Sequence, residues 1–233
     1  MRYLIVNADD LGQTSGINRG IAEAHGRGVV TSASLLVDEP ASAEAAGLSA
    51  ELPELSIGLH VKITDEYARP LIDLRDATAL SAELCRQVEL FQALLGRGPT
   101  HLDSHHNVHL QPAAAPHFGE LAQKHGLALR GCSPIRYFPR FFGQWDGETH
   151  LEQISIESLL AMFERDVGHG FTELSCHPGY VDATLTSTYS IEREAELHTL
   201  CDPLIRSRLD ELGVELVSSA AAGGLLAAAS LRS

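Results

Sequence analysis

Residues 3–12 (YLIVNADDLG) set a pattern that recurs along the chain: a short apolar, β-prone run that ends in charged side chains. The apolar half predicts a buried strand. Asp9 and Asp10 follow it, and regular alternation would send their side chains to opposite faces of a sheet. Both can enter one site only if the strand ends or bulges here, which Leu11-Gly12 permits. The alternative is an Asp pair that caps the following turn.

The rest of the chain alternates strand and helix patterns. Strands are predicted near residues 31–37, 55–61, 101–105, 127–130, 172–176 and 214–217, and helices near 16–28, 41–50, 81–96, 112–125, 155–170 and 192–212, followed by an Ala-rich terminal helix. Residues 134–145 show no regular period. Such alternation predicts parallel strands with crossover helices.

Polar residues close at least four of the seven predicted strands: Asp9-Asp10, His60, His105 and His177. A barrel delivers the ends of many strands to one mouth, whereas a doubly wound open sheet collects its site at one switch point. We therefore expect an α/β fold of the TIM-like (β/α) barrel type, seven-stranded, with residues 1–233 forming a single domain. An open doubly wound sheet is the alternative.

Composition limits the classes of partner. The 233 residues are 44% hydrophobic, enough for a full core, and 31 acidic residues against 17 Lys plus Arg give a net charge of -14. This charge argues against nucleic acid or an anionic membrane as partner. The apolar N-terminal run is too short for a signal peptide, and the four cysteines form no C-x-x-C pair, so we expect a cytoplasmic protein with reduced thiols.

Residues 101–109 (HLDSHHNVH) hold four histidines and an aspartate. On a strand, His101, Asp103 and His105 project to one side, and several buried imidazoles would each need a hydrogen-bond partner or a ligand. Together with Asp10 and His60, His105 would complete an Asp-His-His set with positions open for water and substrate. Such a set is typical of a catalytic metal site, because structural sites are usually closed by four ligands.

Residues 175–180 (SCHPGY) close the sixth predicted strand, and their Pro-Gly turn would bring His177 and Tyr180 over the mouth. A Cys176-His177 nucleophile pair is not expected, since neighbours on a strand face opposite ways. His177 fits better as a general acid, because an imidazole can protonate a departing amine near neutral pH.

Together, the motifs NADDLG (7–12), GLH (58–60), THLDSHHNVH (100–109) and CHPGY (176–180) resemble those of the YdjC-like carbohydrate deacetylases, a family that includes chitooligosaccharide deacetylase. The resemblance covers nearly the whole chain. It implies a TIM-like barrel, a homodimer, and metal-dependent removal of acetyl from an N-acetylated sugar. It also implies one divalent ion, Mg²⁺ or Zn²⁺, at the positions matching Asp10, His60 and His105.

In the resulting hypothesis the metal polarises the acetamide carbonyl, Asp9 takes the proton of the attacking water, and His177 protonates the amine. The remaining candidates orient ligands or contact the sugar. His101 and Asp103 are assigned to orienting the metal ligands, and His109 either to this task or to the substrate pocket. Contact with the sugar is assigned to Tyr180, Trp145 and Arg136.

Two other functions stay open at this stage. A barrel phosphoesterase or amidohydrolase would use the same metal site but hydrolyse a different bond. No basic anchor for phosphate is evident beside the motifs. A non-catalytic sugar- or metal-binding protein would leave Asp9 and His177 without a purpose. Acetate release with and without a chelator separates the three.

Overall fold

The computed structural model describes residues 1–230. Within them the strands are β1 (Arg2–Leu11), β2 (Ser32–Leu35), β3 (Ser56–Val61), β4 (His101–Ser104), β5 (Ala128–Leu129), β6 (Arg136–Phe138), β7 (Gln144–Trp145), β8 (Glu148–Thr149), β9 (Gly170–Cys176) and β10 (Val214–Leu216). The α-helices are α1 (Ser15–Gly26), α2 (Ser42–Glu51), α3 (Ala77–Leu95), α4 (Ala115–His125), α5 (Ile156–Asp166), α6 (Ile191–Cys201), α7 (Pro203–Glu211) and α8 (Ser219–Ser230).

One parallel sheet runs in the order β5-β4-β3-β2-β1-β9-β6, and β10 pairs with the start of β1. β1 is therefore central. It pairs with β9 from Arg2 to Ala8, while its other edge pairs first with β10 and then, from Asn7, with β2. Every residue from Leu4 to Leu11 is buried, which is typical of a parallel strand covered on both faces.

The predicted irregularity of β1 is confirmed at its end. Ala8 pairs with Ala33 and Leu11 with Leu35, so one extra residue is inserted in β1 between these pairs. Asp10 takes a left-handed backbone conformation with φ of 67°. Such a bulge re-aims side chains, and it lets the adjacent carboxylates Asp9 and Asp10 line the same cavity.

The predicted α/β class and parallel order are confirmed, and all seven predicted strands are present. β6 is an additional sheet strand inside the stretch predicted to be irregular. The predicted helix over 192–212 is two helices, because Pro203 cannot donate its backbone nitrogen and Asp202 caps α7 by accepting from Leu204 N. The predicted start of α4 near residue 112 is also displaced, since residues 105–110 form a 3-10 helix.

The two end strands of the sheet, β5 and β6, share no backbone pairing within residues 1–230, so hydrogen bonds do not close the barrel. Side chains bridge the gap instead. The Arg130 guanidinium, directly after β5, lies over the Tyr137 ring of β6 at 5.2 Å from its centroid. The curled sheet thus forms an incomplete barrel whose strand ends surround one mouth. Among the same residues no helix has the length and apolarity needed to cross a membrane.

Gly58 on β3 is required by the close approach of His101 from β4. A Cβ atom at residue 58 would lie 2.4 Å from the His101 imidazole, and both residues are held in paired strands. We predict that Gly58→Ala lowers the free energy of unfolding by about 1–3 kcal/mol through overpacking, measured by urea denaturation. Gly98→Ala is the control, because nothing lies within 4 Å of its added methyl group. Equal stability of the two variants would contradict the packing argument.

Candidate active site

A cavity of about 370 Å³ opens at the carboxyl ends of the central strands. It brings together the five residues that carry the chemistry predicted from sequence. Asp9 and Asp10 come from β1, His60 from β3, His105 from the turn after β4, and His177 from the loop after β9; all five line the cavity. Because parallel strands end at the same edge, residues up to 168 positions apart in the chain meet here.

Asp10, His60 and His105 form a candidate metal site. Asp10 Oδ1 lies 3.4 Å from His60 Nε2 and 3.1 Å from His105 Nδ1, and all three residues are buried. The other carboxylate oxygen of Asp10 accepts a hydrogen bond from Arg193 at 2.7 Å, which turns Oδ1 towards the two imidazoles. One carboxylate oxygen and two imidazole nitrogens are donors that suit a divalent cation. His105 Nε2 is buried without a hydrogen-bond partner among the described residues.

A second group, Asp9, His60 and Asp103, also has ligand-like spacing. Arg130 occupies it. The guanidinium donates to both oxygens of Asp9, at 2.7 and 2.8 Å, and approaches Asp103 Oδ2 at 2.7 Å. The guanidinium already engages both oxygens of Asp9 and Oδ2 of Asp103, whereas Arg193 leaves Asp10 Oδ1 directed at the imidazoles, so the first group is the better cation site.

Arg130 is 3% exposed and also donates to Glu173 at 2.7 Å. Burial alone would raise the pKa of Asp9, but the charge and hydrogen bonds of Arg130 outweigh it and hold that pKa below its usual value. Asp9 is therefore ionised at neutral pH. Asn7 adds a hydrogen bond to Asp9 Oδ1 at 2.8 Å and fixes its rotamer.

Asp103 stands directly behind His60, with its Oδ1 2.7 Å from His60 Nδ1. This contact leaves His60 Nε2 facing Asp10. Burial lowers the pKa of His60, yet the charges and hydrogen bonds of Asp103 and Asp10 raise it to about 10. A cation that binds here competes with a proton on His60.

His177 lies 3.9 Å from Asp9, measured between Nε2 and Oδ2. Glu196 on α6 accepts a hydrogen bond from the His177 backbone nitrogen and places Oε1 3.7 Å from its Nδ1. Tyr189 donates its hydroxyl to the same carboxylate. Burial lowers the pKa of His177, but the nearby carboxylate of Glu196, followed by the charge of Asp9, raises it above its ordinary value. The imidazole is thus suited to donate a proton.

His101 and His109 do not line the cavity. His101 packs on Gly58 with its Nδ1 2.8 Å from Thr100 Oγ1. His109 is enclosed, with Nδ1 2.7 Å from Ser104 Oγ and Nε2 3.1 Å from the Arg130 carbonyl. The prediction that His109 could reach the pocket is therefore not supported, because both ring nitrogens are engaged below the mouth.

Three predicted sugar contacts also lie elsewhere. Tyr180 donates its hydroxyl to Glu23, outside the cavity lining, because residues 179–180 pack against α1 instead of folding over the mouth. Trp145 stacks on His150 at 3.6 Å, and Arg136 donates to Thr172. The aromatic wall of the cavity instead consists of Tyr137 and of the pair Phe142 and Tyr189, whose rings stack at 4.6 Å with a 7° interplanar angle.

Sequence reasoning missed Arg130, Arg193 and Glu196. Arg130 could have been found, because it is a polar residue at the end of a predicted strand, as His60 is. Arg193 and Glu196 had none: they lie on the buried face of α6, 16 and 19 residues after His177 in the chain, and only the packing of that helix brings them to the mouth.

Comparisons with known proteins find relatives along nearly the whole chain. The family model described as YdjC-like protein matches residues 3–211. A protein of Geobacillus stearothermophilus named carbohydrate deacetylase is 38% identical over 248 residues, covering 93% of this chain and 96% of that protein. The chitooligosaccharide deacetylase of Serratia marcescens is 34% identical over 253 residues, covering 93% and 98%.

Solved structures give the same fold. A protein of Enterococcus faecalis V583, provisionally named for cellobiose-phosphate cleavage, superposes with a TM-score of 0.81 at 27% identity, covering 94% of this chain and 97% of that chain. A family 4 carbohydrate esterase of Streptomyces lividans, solved with acetate, superposes with a TM-score of 0.59 at 14% identity, covering 93% and 91%. The predicted TIM-like barrel and the family resemblance are both confirmed: this chain belongs to the YdjC-like protein family.

Proposed function

We propose that this protein is a metal-dependent carbohydrate deacetylase that removes the acetyl group from an N-acetylated mono-, di- or chitooligosaccharide and releases acetate. One observation carries the proposal: the Asp9 carboxylate and the His177 imidazole face one cavity 3.9 Å apart, beside the Asp10, His60 and His105 donor set. The names of the relatives, which are carbohydrate and chitooligosaccharide deacetylases, support the same substrate class.

Asp10, His60 and His105 would hold one divalent cation, Mg²⁺ or Zn²⁺. Such a cation, when bound, polarises the acetamide carbonyl and acidifies the attacking water. Asp103 and Arg193 orient two of these ligands through the hydrogen bonds at His60 Nδ1 and Asp10 Oδ2.

Asp9 and His177 would move the protons. Asp9, fixed by Arg130 and Asn7, accepts a proton from water as the oxygen attacks the carbonyl carbon. His177 then donates a proton to the amide nitrogen as the carbon–nitrogen bond breaks, so acetate and a free amine leave together. Glu196 keeps His177 protonated for this second step.

The sugar would stack on Phe142, whose ring is 38% exposed and lies 5.6 Å from that of His177. A second cavity of about 550 Å³ adjoins the first across Glu66, which lines both. It offers room for a neighbouring sugar unit, which supports di- and oligosaccharides as substrates.

A phosphoesterase is less well supported. Phosphate recognition in a metal site usually needs a free cationic anchor. Arg193 lines this cavity but is paired with Asp10, and Arg130, which lies behind Asp9, is paired with Asp9, Asp103 and Glu173. A purely binding function would leave the Asp9 and His177 pair unused.

We further propose that the protein acts in the cytoplasm as a homodimer and has neither nucleic acid nor a membrane as a partner. The net charge of -14 supports the absence of a polyanionic partner.

The first prediction separates the roles of base and ligand. With N-acetylglucosamine and its disaccharide, acetate release should require a divalent cation and stop with chelator. Asp9→Asn should lower kcat about 10²-fold or more while the protein still binds Zn²⁺ in calorimetry, whereas His60→Ala should lose Zn²⁺ binding. Loss of Zn²⁺ by Asp9→Asn would make Asp9 a ligand. Phosphate release from phosphoesters without acetate release would contradict the proposed reaction.

The pH profile tests Glu196. An acid catalyst must be protonated, so activity should fall as pH rises through the pKa of His177. Glu196→Gln removes a negative charge that raises this pKa, and the alkaline limb of kcat should move to lower pH by about one pH unit. Glu194→Gln, on the exposed face of α6, is the matched control and should leave the limb in place. An unmoved limb in Glu196→Gln would show that Glu196 does not support His177.

The aromatic wall gives a binding prediction. Phe142→Ala should raise KM about 2- to 10-fold with a smaller effect on kcat, because stacking contributes roughly 0.5–1.5 kcal/mol. Trp145→Ala is the control, since Trp145 is similarly exposed but stacks on His150 outside the cavity. Steady-state kinetics showing the larger KM effect for Trp145→Ala would place the sugar on the β7–β8 hairpin instead.

A further inference from the structure

The two histidines of the candidate metal site differ in what stands behind them. His60 faces Asp10 with Nε2, and its other nitrogen is held by Asp103 at 2.7 Å. His105 faces Asp10 with Nδ1 at 3.1 Å, but its Nε2 is buried and has no hydrogen-bond partner in residues 1–230. An unpaired buried ring nitrogen costs free energy, so this position calls for a hydrogen-bond partner.

One carboxylate lies close enough to become this hydrogen-bond partner. Glu66, in the segment that follows β3, has Oε2 at 3.9 Å from His105 Nε2. Its other oxygen, Oε1, accepts from Lys62 Nζ at 2.7 Å and from Gln13 Nε2 at 3.2 Å. These two donors anchor Glu66 by one oxygen and leave the second directed at the imidazole.

We propose that Glu66 is a positioning residue for His105: its Oε2 accepts a hydrogen bond from Nε2–H, so that Nδ1 is the free nitrogen presented beside Asp10. The remaining gap closes by about 1 Å of side-chain rotation or through one bridging water. Glu66 would then do for His105 what Asp103 does for His60. The inference rests on the proposed metal site.

The two supporting carboxylates differ in setting. Asp103 is fully buried in β4, whereas the Glu66 side chain is 15% exposed and forms the wall between the two cavities. A sugar unit in the larger cavity would therefore touch the residue that orients His105, which connects substrate binding to the geometry of the metal site.

Zn²⁺ titration of the apoprotein by calorimetry tests the proposal without substrate. Loss of a carboxylate that orients a ligand histidine weakens metal binding about 10- to 100-fold, so Glu66→Ala should raise the Kd for Zn²⁺ by this factor. Glu66→Gln should fall between Ala and wild type, because its amide oxygen still accepts a hydrogen bond. Circular dichroism establishes that each variant is folded.

Glu39→Ala is the matched control, since Glu39 is the other carboxylate on Lys62, at 2.8 Å, and does not approach His105. Its Kd should stay within about 2-fold of wild type. Equal weakening by Glu39→Ala and Glu66→Ala would mean that the effect passes through Lys62 and would overturn the proposal, as would an unchanged Kd in Glu66→Ala.

Nitrogen-15 NMR of the Zn²⁺-loaded protein gives a second readout. The wild type should show a protonated Nε2 on His105 that exchanges slowly with water, and Glu66→Ala should lose this protection. A protonated Nδ1 in the wild type contradicts the inference. If Zn²⁺ binding and the NMR signal behave as expected but no N-acetyl sugar is deacetylated, the proposed function fails while the role of Glu66 stands.

Discussion

The buried guanidinium of Arg130 is the interaction on which the site depends. Three carboxylates share it, from β1, β4 and β9: Asp9, Asp103 and Glu173. An isolated buried charge is very costly, so this cation ties the three strands together, and removal of Arg130 would leave buried carboxylates uncompensated at a cost of about 3–5 kcal/mol. The same contacts keep Asp9 ionised and, through Asp103, orient His60. One network of ion pairs therefore both connects the strands and orients the residues that are proposed to react.

Around this network, the strands and one helix contribute different residues to the site. The strand ends supply the groups proposed to react, and the bulge in β1 makes two adjacent carboxylates available to one cavity. Helix α6 contributes, at the mouth, the residues that orient these groups: Arg193 donates a hydrogen bond to Asp10, and Glu196 accepts one from the His177 backbone nitrogen. A rigid element that carries both contacts fixes the distance between the candidate metal site and the proposed proton donor, which a reaction that uses both requires.

The sequence alone was sufficient wherever local pattern decides structure. Alternating strand and helix periods predicted the parallel sheet, and polar residues at the strand ends predicted that Asp10, His60 and His105 would meet, because parallel strands share an edge. The same local logic misplaced Tyr180, which follows His177 by three residues but turns outward to Glu23. It also left β6 unassigned, since a three-residue strand has too few positions to show a period.

Only the tertiary structure decided which distant side chains pair with each other. Arg130 could be seen to end a strand, but its three carboxylate partners lie 27 to 121 positions away in the chain, and no local pattern specifies such a pairing. The roles proposed for Glu196 and Glu66 likewise depend on the packing of α6 and of the segment after β3. Sequence periodicity records which face of an element is buried, whereas long-range electrostatic pairing depends on distances that exist only once the sheet has curled.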